Sequence, residues 1–212
     1  FIYSIDPHRI LHTYPNLAPG APIEDYRVDT VSLSFIQDLT WNYGEMRGGT
    51  PALLIKYPLQ PTSHTDKDTS PSYKSLKSFE QRYLSFFHSK MRVRNRRMTY
   101  FIGAYTFSAN PPFEVLSVST SPVIAKEFYE GKFAPQPYDY ILYPVSFIIN
   151  DEYGLKPTVS LYYGRQDLHT WVVTLDLIGL LESMTPVNSS VIGVAEWNNH
   201  TGEPKRHSLR FL

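Results

Sequence analysis

The sequence predicts an all-β protein, and three observations support this fold class. Aromatic residues make up 15% of the 212-residue chain, which also contains 17 prolines. This combination is typical of short strands joined by many turns. Strands do not alternate with long helical patterns, which argues against a parallel α/β sheet. A sandwich, a barrel and a propeller stay open, and three groups of paired strands, near 31–57, 83–118 and 140–175, favour successive propeller blades.

Composition restricts the environment and the partners. The formal net charge is zero and the chain has no cysteine. The charge balance gives no reason to expect a nucleic acid or an anionic membrane as partner. Without cysteine there is no disulfide and no thiolate metal site, which mildly favours a reducing compartment such as the cytoplasm. No apolar run approaches the ~20 residues that span a bilayer. Since residue 1 is Phe and already lies in a strand-like run, we expect a piece of a longer protein, forming one domain over 1–212.

The first half of the chain alternates strand-like runs with loops rich in proline and glycine. Residues 31–35 alternate apolar and polar side chains, which is the period of a half-buried strand. Residues 58–78 are polar enough to form an exposed, inserted loop. The predicted strands of this half are 1–5, 10–13, 31–35 and 52–57, and the predicted loops are 14–26, 41–51 and 58–78.

The centre of the chain, residues 83–105, reads YLSFFHSKMRVRNRRMTYFIGAY. Two aromatic-rich runs with strand composition, suited to a half-buried pleated surface, flank a basic connector. In an antiparallel hairpin the end of one strand and the start of the next lie at the same edge. We therefore expect His88 and Tyr100 to lie close together, beside the cationic side chains of the connector.

The second half continues the pattern of short paired strands. Residues 140–149 have strand composition, but Pro144 cannot donate a ladder hydrogen bond, so we expect this strand at an edge or a bulge. Residues 177–184 are expected to form one or two helical turns at the start of a C-terminal extension, 177–212. The other predicted elements are a helical turn at 125–129 and strands at 113–118, 158–163, 170–175 and 191–197.

Five segments, taken in order, resemble glycoside hydrolase family 130, the β-mannoside phosphorylases with their related hydrolases and β-1,2-mannosyltransferases. The segments are Arg47-Gly-Gly-Thr-Pro51, the run 83–88, Tyr100-Phe-Ile-Gly-Ala104, Tyr143-Pro144 and Tyr162-Tyr-Gly-Arg-Gln-Asp167. The resemblance covers roughly residues 1–176. It implies a five-bladed β-propeller, or the later blades of one, with the active site at the mouth of the central channel. It also implies an inverting mechanism with an aspartate as general acid and no cofactor, phosphate or a sugar phosphate being a substrate.

The resemblance also implies roles for individual residues. His88 and Tyr100 match the phosphate-binding His and Tyr of the family; the alternative is a strand-end His bonded to the backbone and a Tyr in an aromatic belt. Arg47 beside two glycines can grip phosphate, or can belong to a plain turn. The acid of the family lies in an Asp-Pro-Arg motif, which Asp6-Pro7-His8-Arg9 resembles superficially. We expect the true acid upstream of residue 1.

Two further residues are candidates for the same site. His8 follows Pro7 in a break between strands, which can point polar side chains into a site; an exposed turn is the alternative. Asp167 can accept hydrogen bonds from sugar hydroxyls, or from its own backbone in a turn. These residues predict an enzyme that binds phosphate through His88, Tyr100, Arg47 and His8 and a sugar hydroxyl through Asp167. The alternative is a non-catalytic propeller fragment that binds glycan or protein.

Two other functions are disfavoured. The basic run 90–97 is short and lies in a chain of zero net charge, so a solvated hairpin tip explains it better than nucleic-acid binding. The seven histidines are scattered without carboxylates at metal-ligand spacing. The sequence therefore predicts a small-molecule or oligosaccharide substrate, with no metal and no nucleic acid.

Overall fold

The computed structural model describes residues 2–13, 28–58, 79–93, 97–123, 140–152, 155–198 and 203–204. These residues form antiparallel sheets and one short helix, so the predicted all-β class is confirmed. The elements in chain order are β1 (Ile2–Ile5), β2 (His8–Thr13), β3 (Val28–Ile36), β4 (Met46–Arg47), β5 (Leu53–Pro58), β6 (Phe79–Val93), β7 (Arg97–Ser108), β8 (Val115–Ser119), β9 (Leu142–Asn150), β10 (Thr158–Arg165), β11 (His169–Asp176), α1 (Leu177–Glu182), β12 (Met184–Pro186), β13 (Ser189–Asn198) and β14 (Glu203–Pro204).

The described strands form three sheets. Sheet A has the order β1-β2-β3-β13-β14, and sheet C has the order β11-β10-β9. Sheet B has the order β12-β8-β7-β6-β4, with β5 also paired to β6, so β4 and β5 together form one interrupted edge. The predicted C-terminal extension thus returns to the body of the protein, since β12 pairs with β8 and β13 pairs with β3.

Sheet B is the middle layer. One face of its β6–β7 hairpin carries Leu84, Phe86 and Ile102, which share a core with side chains of β9, β10 and α1. The opposite face carries Phe87 and Tyr105, which share a second core with side chains of β1, β2 and the segment before β4. Sheets A and C therefore pack on the two faces of sheet B.

This position corrects the expectation of a half-buried hairpin. Residues 84–89 and 102–107 are buried without alternation, because both faces of the hairpin are covered. Strands covered on both faces bury every side chain, and here the polar residues Ser85, His88, Ser89 and Thr106 are buried along with the apolar ones. The hairpin is also longer than predicted: β6 continues past His88 to Val93, so Lys90 and Arg92 belong to a strand and not to a connector.

Several local predictions are confirmed. Strand β9 lies at the edge of sheet C among the described residues, and its register with β10 shifts at Pro144, so the proline marks both an edge and a bulge. Helix α1 begins at Leu177, where the Asp176 side chain accepts a hydrogen bond from the Ile178 amide. The predicted loop 58–78, apart from residue 58, lies outside the described residues, as do the predicted loop 14–26 and the predicted helical turn at 125–129.

Within the described part of the chain, no helix is long and apolar enough to cross a membrane.

Candidate functional site

A cavity of about 570 Å³ lies at the interrupted edge of sheet B. Its walls come from β1, β4 and β9, each the outermost described strand of its own sheet. The three stacked sheets therefore present their edges to one space. The lining residues are Ile2, Ser4, Ile5, Asp6, Glu45, Met46, Arg47, Gly48, Gly49, Thr50, Ser85, His88, Tyr105 and Tyr143.

Thr50 holds the cavity wall where the edge strand is interrupted. The Thr50 amide donates to the Phe86 carbonyl at 3.0 Å, and the Phe86 amide donates to Thr50 Oγ1 at 3.0 Å. The Ser85 hydroxyl donates to the Thr50 carbonyl at 3.0 Å. One threonine thus satisfies the backbone of β6 between the part paired with β4 and the part paired with β5.

The two glycines of this wall, Gly48 and Gly49, differ in how much space a side chain would have. A Cβ on Gly49 would collide with the carbonyl oxygen of Phe86, so close approach to β6 requires glycine there. A Cβ on Gly48 would have no described heavy atom within 4 Å. Gly48 therefore lines the cavity without a packing constraint, which leaves room for a ligand to approach its backbone.

Charged groups of both signs line the cavity. Arg47 lies opposite His88 in the ladder between β4 and β6, and its guanidinium donates to Glu45 Oε2 at 2.7 Å. This ion pair is exposed, so water and salt weaken it and an anionic ligand can compete for the arginine. Asp6, an exposed carboxyl in the turn between β1 and β2, lies on the same cavity wall and accepts a long 3.4 Å bond from the Ile36 amide.

His88 is held by three contacts. Its Nδ1 lies 2.6 Å from the carbonyl oxygen of Gly48. Its ring stacks on Tyr100, with centroids 6.0 Å apart and planes 12° apart, and it contacts Tyr143 at a centroid distance of 4.7 Å. The predicted proximity of His88 and Tyr100 is confirmed. Tyr100 supports the ring from outside the cavity lining, whereas His88 and Tyr143 face the cavity.

The surroundings of His88 favour its neutral form. Burial lowers the pKa of His88, and the neighbouring cations Arg47 and Lys90 lower it further. The hydrogen bond to the Gly48 carbonyl acts in the opposite direction and is outweighed. The side chain is 9% exposed and lies at the cavity wall. At neutral pH this imidazole is therefore uncharged.

His8, the second predicted histidine, lies in the core between sheets A and B and does not line the cavity. It is 1% exposed, its Nδ1 lies 2.9 Å from the Phe113 carbonyl, and its ring packs on Tyr105 and Phe107. Burial lowers the pKa of His8 from 6.5 to about 4, although the Phe113 carbonyl acts in the opposite direction. The alternative, an exposed turn, is wrong as well, because the ring of His8 packs on Tyr105 and Phe107 of sheet B.

Asp167, the predicted sugar-binding residue, lies in the turn between β10 and β11. It is exposed, has a φ of 53°, and is not among the cavity-lining residues. Asp tolerates this left-handed conformation better than most residues, which accounts for its presence in the turn.

The polar cavity residues that were not among the predicted site residues include Ser4, Asp6, Glu45, Thr50 and Ser85. A signal existed for Asp6, since it sits in the Asp-Pro-His-Arg segment that resembles the acid motif. Thr50 lies in the Arg47-Gly-Gly-Thr-Pro51 segment, which drew attention to Arg47 but not to the threonine. Ser85 carries no such signal, because a serine inside an aromatic-rich strand is usually interpreted as a packing residue.

In the part of the chain that the structure describes, no three His, Asp or Glu side chains are grouped so that they could hold a metal ion. No protein-family model matches the sequence, and no curated protein and no solved structure matches it.

Proposed function

We propose that this chain belongs to a carbohydrate-active enzyme that acts on β-mannosides, by inverting phosphorolysis or by mannosyl transfer from mannose 1-phosphate or a sugar nucleotide. The observation that carries the proposal is that a guanidinium, an imidazole and a carboxyl group, those of Arg47, His88 and Asp6, line one cavity. A few convergent polar groups in a concave site suit a ligand with hydroxyl and phosphate groups. The resemblance to glycoside hydrolase family 130 supplies the class of sugar.

A propeller is the architecture that we propose for the complete domain. Three features support it. Three antiparallel sheets pack face to face, and one edge strand of each reaches the cavity. Propeller blades stack in this way around a central channel. The outer face of sheet C is a third feature, since Val145, Ile148 and Val172 are about half exposed there and a further blade would cover them.

The binding roles follow from position. Arg47 is the cation at the cavity wall, so it binds the phosphate group, and Gly48 leaves space for that group beside the backbone. His88 lies beside Arg47, with Tyr100 supporting its ring. His8 and Asp167 lie away from the cavity lining and have no part in the proposed site.

Asp6 is the carboxyl group that we assign to the acid role in the described chain, because the other carboxyl on the cavity wall, Glu45, is paired with Arg47. In the proposed step, an oxygen of phosphate or water bonds to the anomeric carbon from one face. The bond from that carbon to the leaving oxygen breaks, and the leaving oxygen takes the proton of the acid.

The test is incubation of the full chain with mannose 1-phosphate and mannose, followed by measurement of released inorganic phosphate. Arg47→Met should raise the KM for mannose 1-phosphate by roughly ten- to a hundredfold, because a charge-assisted hydrogen bond is lost. Asp6→Asn should lower kcat by roughly a hundredfold or more, with substrate still bound. Asp167→Asn, outside the cavity, is the matched control and should retain activity.

The outcomes separate the proposals. The absence of both phosphate release with any mannoside acceptor and hydrolysis of β-mannosides would overturn the enzymatic function. Binding of a β-mannoside without turnover would favour the alternative, a glycan-binding propeller that uses the same cavity. Full turnover by Asp6→Asn would remove Asp6 from the acid role.

A further inference from the structure

We propose that His88 is a hydrogen-bond acceptor in this cavity, which receives a sugar hydroxyl at Nε2, while Arg47 carries the recognition of phosphate. The inference rests on the proposed function and deepens it, since it assigns the sugar hydroxyl of the ligand to His88 and its phosphate group to Arg47. It also replaces the role that the resemblance implies for His88, donation to a phosphate oxygen.

The first step is the tautomer of the imidazole. A carbonyl oxygen can only accept a hydrogen bond, so the 2.6 Å contact between Nδ1 and the Gly48 carbonyl places the proton on Nδ1. In a neutral imidazole the other nitrogen then has a lone pair and no proton. Nε2 of His88 is therefore an acceptor.

The second step is the fixed direction of that acceptor. The His88 backbone pairs with Arg47 on β4 and with Ile102 on β7. Its ring is stacked on Tyr100 and contacts Tyr143. The backbone of His88 is fixed by two neighbouring strands, and its ring is fixed by two aromatic side chains. The ring is therefore ordered before the ligand binds, so little conformational entropy is lost on binding.

The third step is the charge state of the ring. Burial and two neighbouring cations oppose protonation of His88, as described above. An uncharged ring with its proton committed to Gly48 cannot donate to a phosphate oxygen, but it can accept from a hydroxyl. The charged or titratable groups around the ring are Arg47 and Glu45 at β4, Lys90 on β6, Tyr100 on β7, Tyr143 on β9 and Asp6 in the turn after β1.

The fourth step is the difference between the two cavity groups. Arg47 keeps its positive charge at every working pH and can form two parallel bonds to a phosphate. His88, directly opposite in the ladder, changes from acceptor to donor if it is protonated. The two side chains therefore recognise different chemical groups, and lowering the pH changes the hydrogen-bonding role of His88 alone.

The experiment combines nitrogen NMR of His88 with binding of methyl β-mannoside to the full chain as a function of pH. Spectra that correlate ring nitrogens with ring protons should show the proton on Nδ1 at pH 7. The affinity for methyl β-mannoside should fall as the pH is lowered, because protonation converts Nε2 into a donor. His169→Asn, a substitution of an exposed histidine on β11, should leave this pH dependence unchanged.

Two variants test the acceptor directly. In His88→Asn the amide nitrogen can replace Nδ1 as donor to Gly48, but nothing replaces Nε2. This variant should weaken methyl β-mannoside binding roughly three- to tenfold, the value of one neutral hydrogen bond. In His88→Gln the longer side chain places an amide oxygen near the position of Nε2, so binding should be weakened less and should lose the pH dependence.

Each outcome decides something. A proton on Nε2, a charged ring at pH 7, or an affinity for methyl β-mannoside that rises as the pH falls would overturn the acceptor role. Binding that depends on neither pH nor His88 would overturn this inference while leaving the proposed function in place. No binding of the mannoside by the unaltered chain would overturn both.

Discussion

Thr50 and Phe86 exchange two hydrogen bonds, one through the Thr50 backbone and one through its side chain, each 3.0 Å long. The threonine hydroxyl thereby accepts the hydrogen bond that a backbone carbonyl of a neighbouring strand would otherwise accept, at the point where the edge of sheet B is interrupted. The interruption opens the cavity without leaving the Phe86 amide unsatisfied in the core. The cavity and the integrity of the middle sheet therefore depend on the same side chain.

Thr50→Val should lower the free energy of unfolding by about 1–3 kcal/mol, because it leaves the buried Phe86 amide without its acceptor. Thr50→Ser is the matched control, since it keeps the hydroxyl and removes one methyl group, and it should cost less. Urea unfolding of both variants measures the difference. Equal destabilisation by Val and Ser would mean that the hydroxyl contributes nothing.

Gly48 and Gly49 should respond differently to the same added methyl group. Gly49→Ala should lower the free energy of unfolding by about 1–3 kcal/mol, because the new Cβ would overlap the Phe86 carbonyl. Gly48→Ala should change stability by less than about 0.5 kcal/mol. A larger side chain, Gly48→Val, should fill part of the cavity and weaken binding of methyl β-mannoside or phosphate, as calorimetric titration can measure. Strong destabilisation by Gly48→Ala would contradict the open position of Gly48.

His8 should make stability depend on pH below neutrality. Its folded-state pKa is about 4, against 6.5 for an ordinary histidine, so between these values the unfolded chain binds a proton that the folded chain excludes. The contribution of neutral His8 to the free energy of unfolding is therefore fully present above about pH 6.5. It falls by as much as about 3 kcal/mol as the pH drops to about 4. Unfolding in urea across this range measures the slope.

His8→Asn should make that slope shallower, because asparagine does not titrate, while the lowered pKa of His88 keeps a smaller dependence of the same sign. The exposed His169→Asn is the control and should keep it. The comparison uses slopes, since burying an asparagine lowers stability at every pH, and a slope unaffected by His8→Asn would contradict the buried neutral histidine.

The packing of sheets B and C can be tested through Phe86 and Phe147. Their rings meet edge to face, with centroids 5.1 Å apart, one on β6 and the other on β9. A double-mutant cycle with Phe86→Leu and Phe147→Leu should give a coupling energy of about 0.5–1.5 kcal/mol. Phe86 with Phe107, which lies in the core on the opposite face of sheet B, is the control pair and should couple by less than about 0.5 kcal/mol. Equal coupling in both pairs would contradict the layered arrangement.

The local features of the fold were predictable because each depends on a few neighbouring residues. Pro144 lacks an amide hydrogen, so its strand had to lie at an edge or a bulge, and β9 does both. The central hairpin was predicted from its two runs of aromatic residues, although β6 extends further than predicted, and helix α1 lies within the predicted helical turns 177–184. The aromatic runs were nevertheless taken as half-buried, because composition does not tell how many faces of a strand another layer covers.

The candidate site was predictable in part. Arg47 and His88 come from a glycine-rich loop and a strand, and the structure places them opposite each other at one cavity. His8 and Asp167 looked equally suitable from the sequence. The structure buries His8 between sheets A and B and places Asp167 in an exposed turn. The sequence around each of these residues allowed a role in the site, and the sheets that surround each side chain determine which of them line the cavity.

The sequence by itself determined that this protein is built from short antiparallel strands, that β6 and β7 form its central hairpin, and that His88 lies near Tyr100. These properties depend on backbone pairing and on contacts between neighbours in one hairpin. The tertiary structure decided that β1, β4 and β9 meet at one cavity, that Asp6 joins Arg47 and His88 there, and that His8 does not. The physical reason is that the burial and the charge of a side chain depend on the sheets packed around it, and those sheets come from distant parts of the chain.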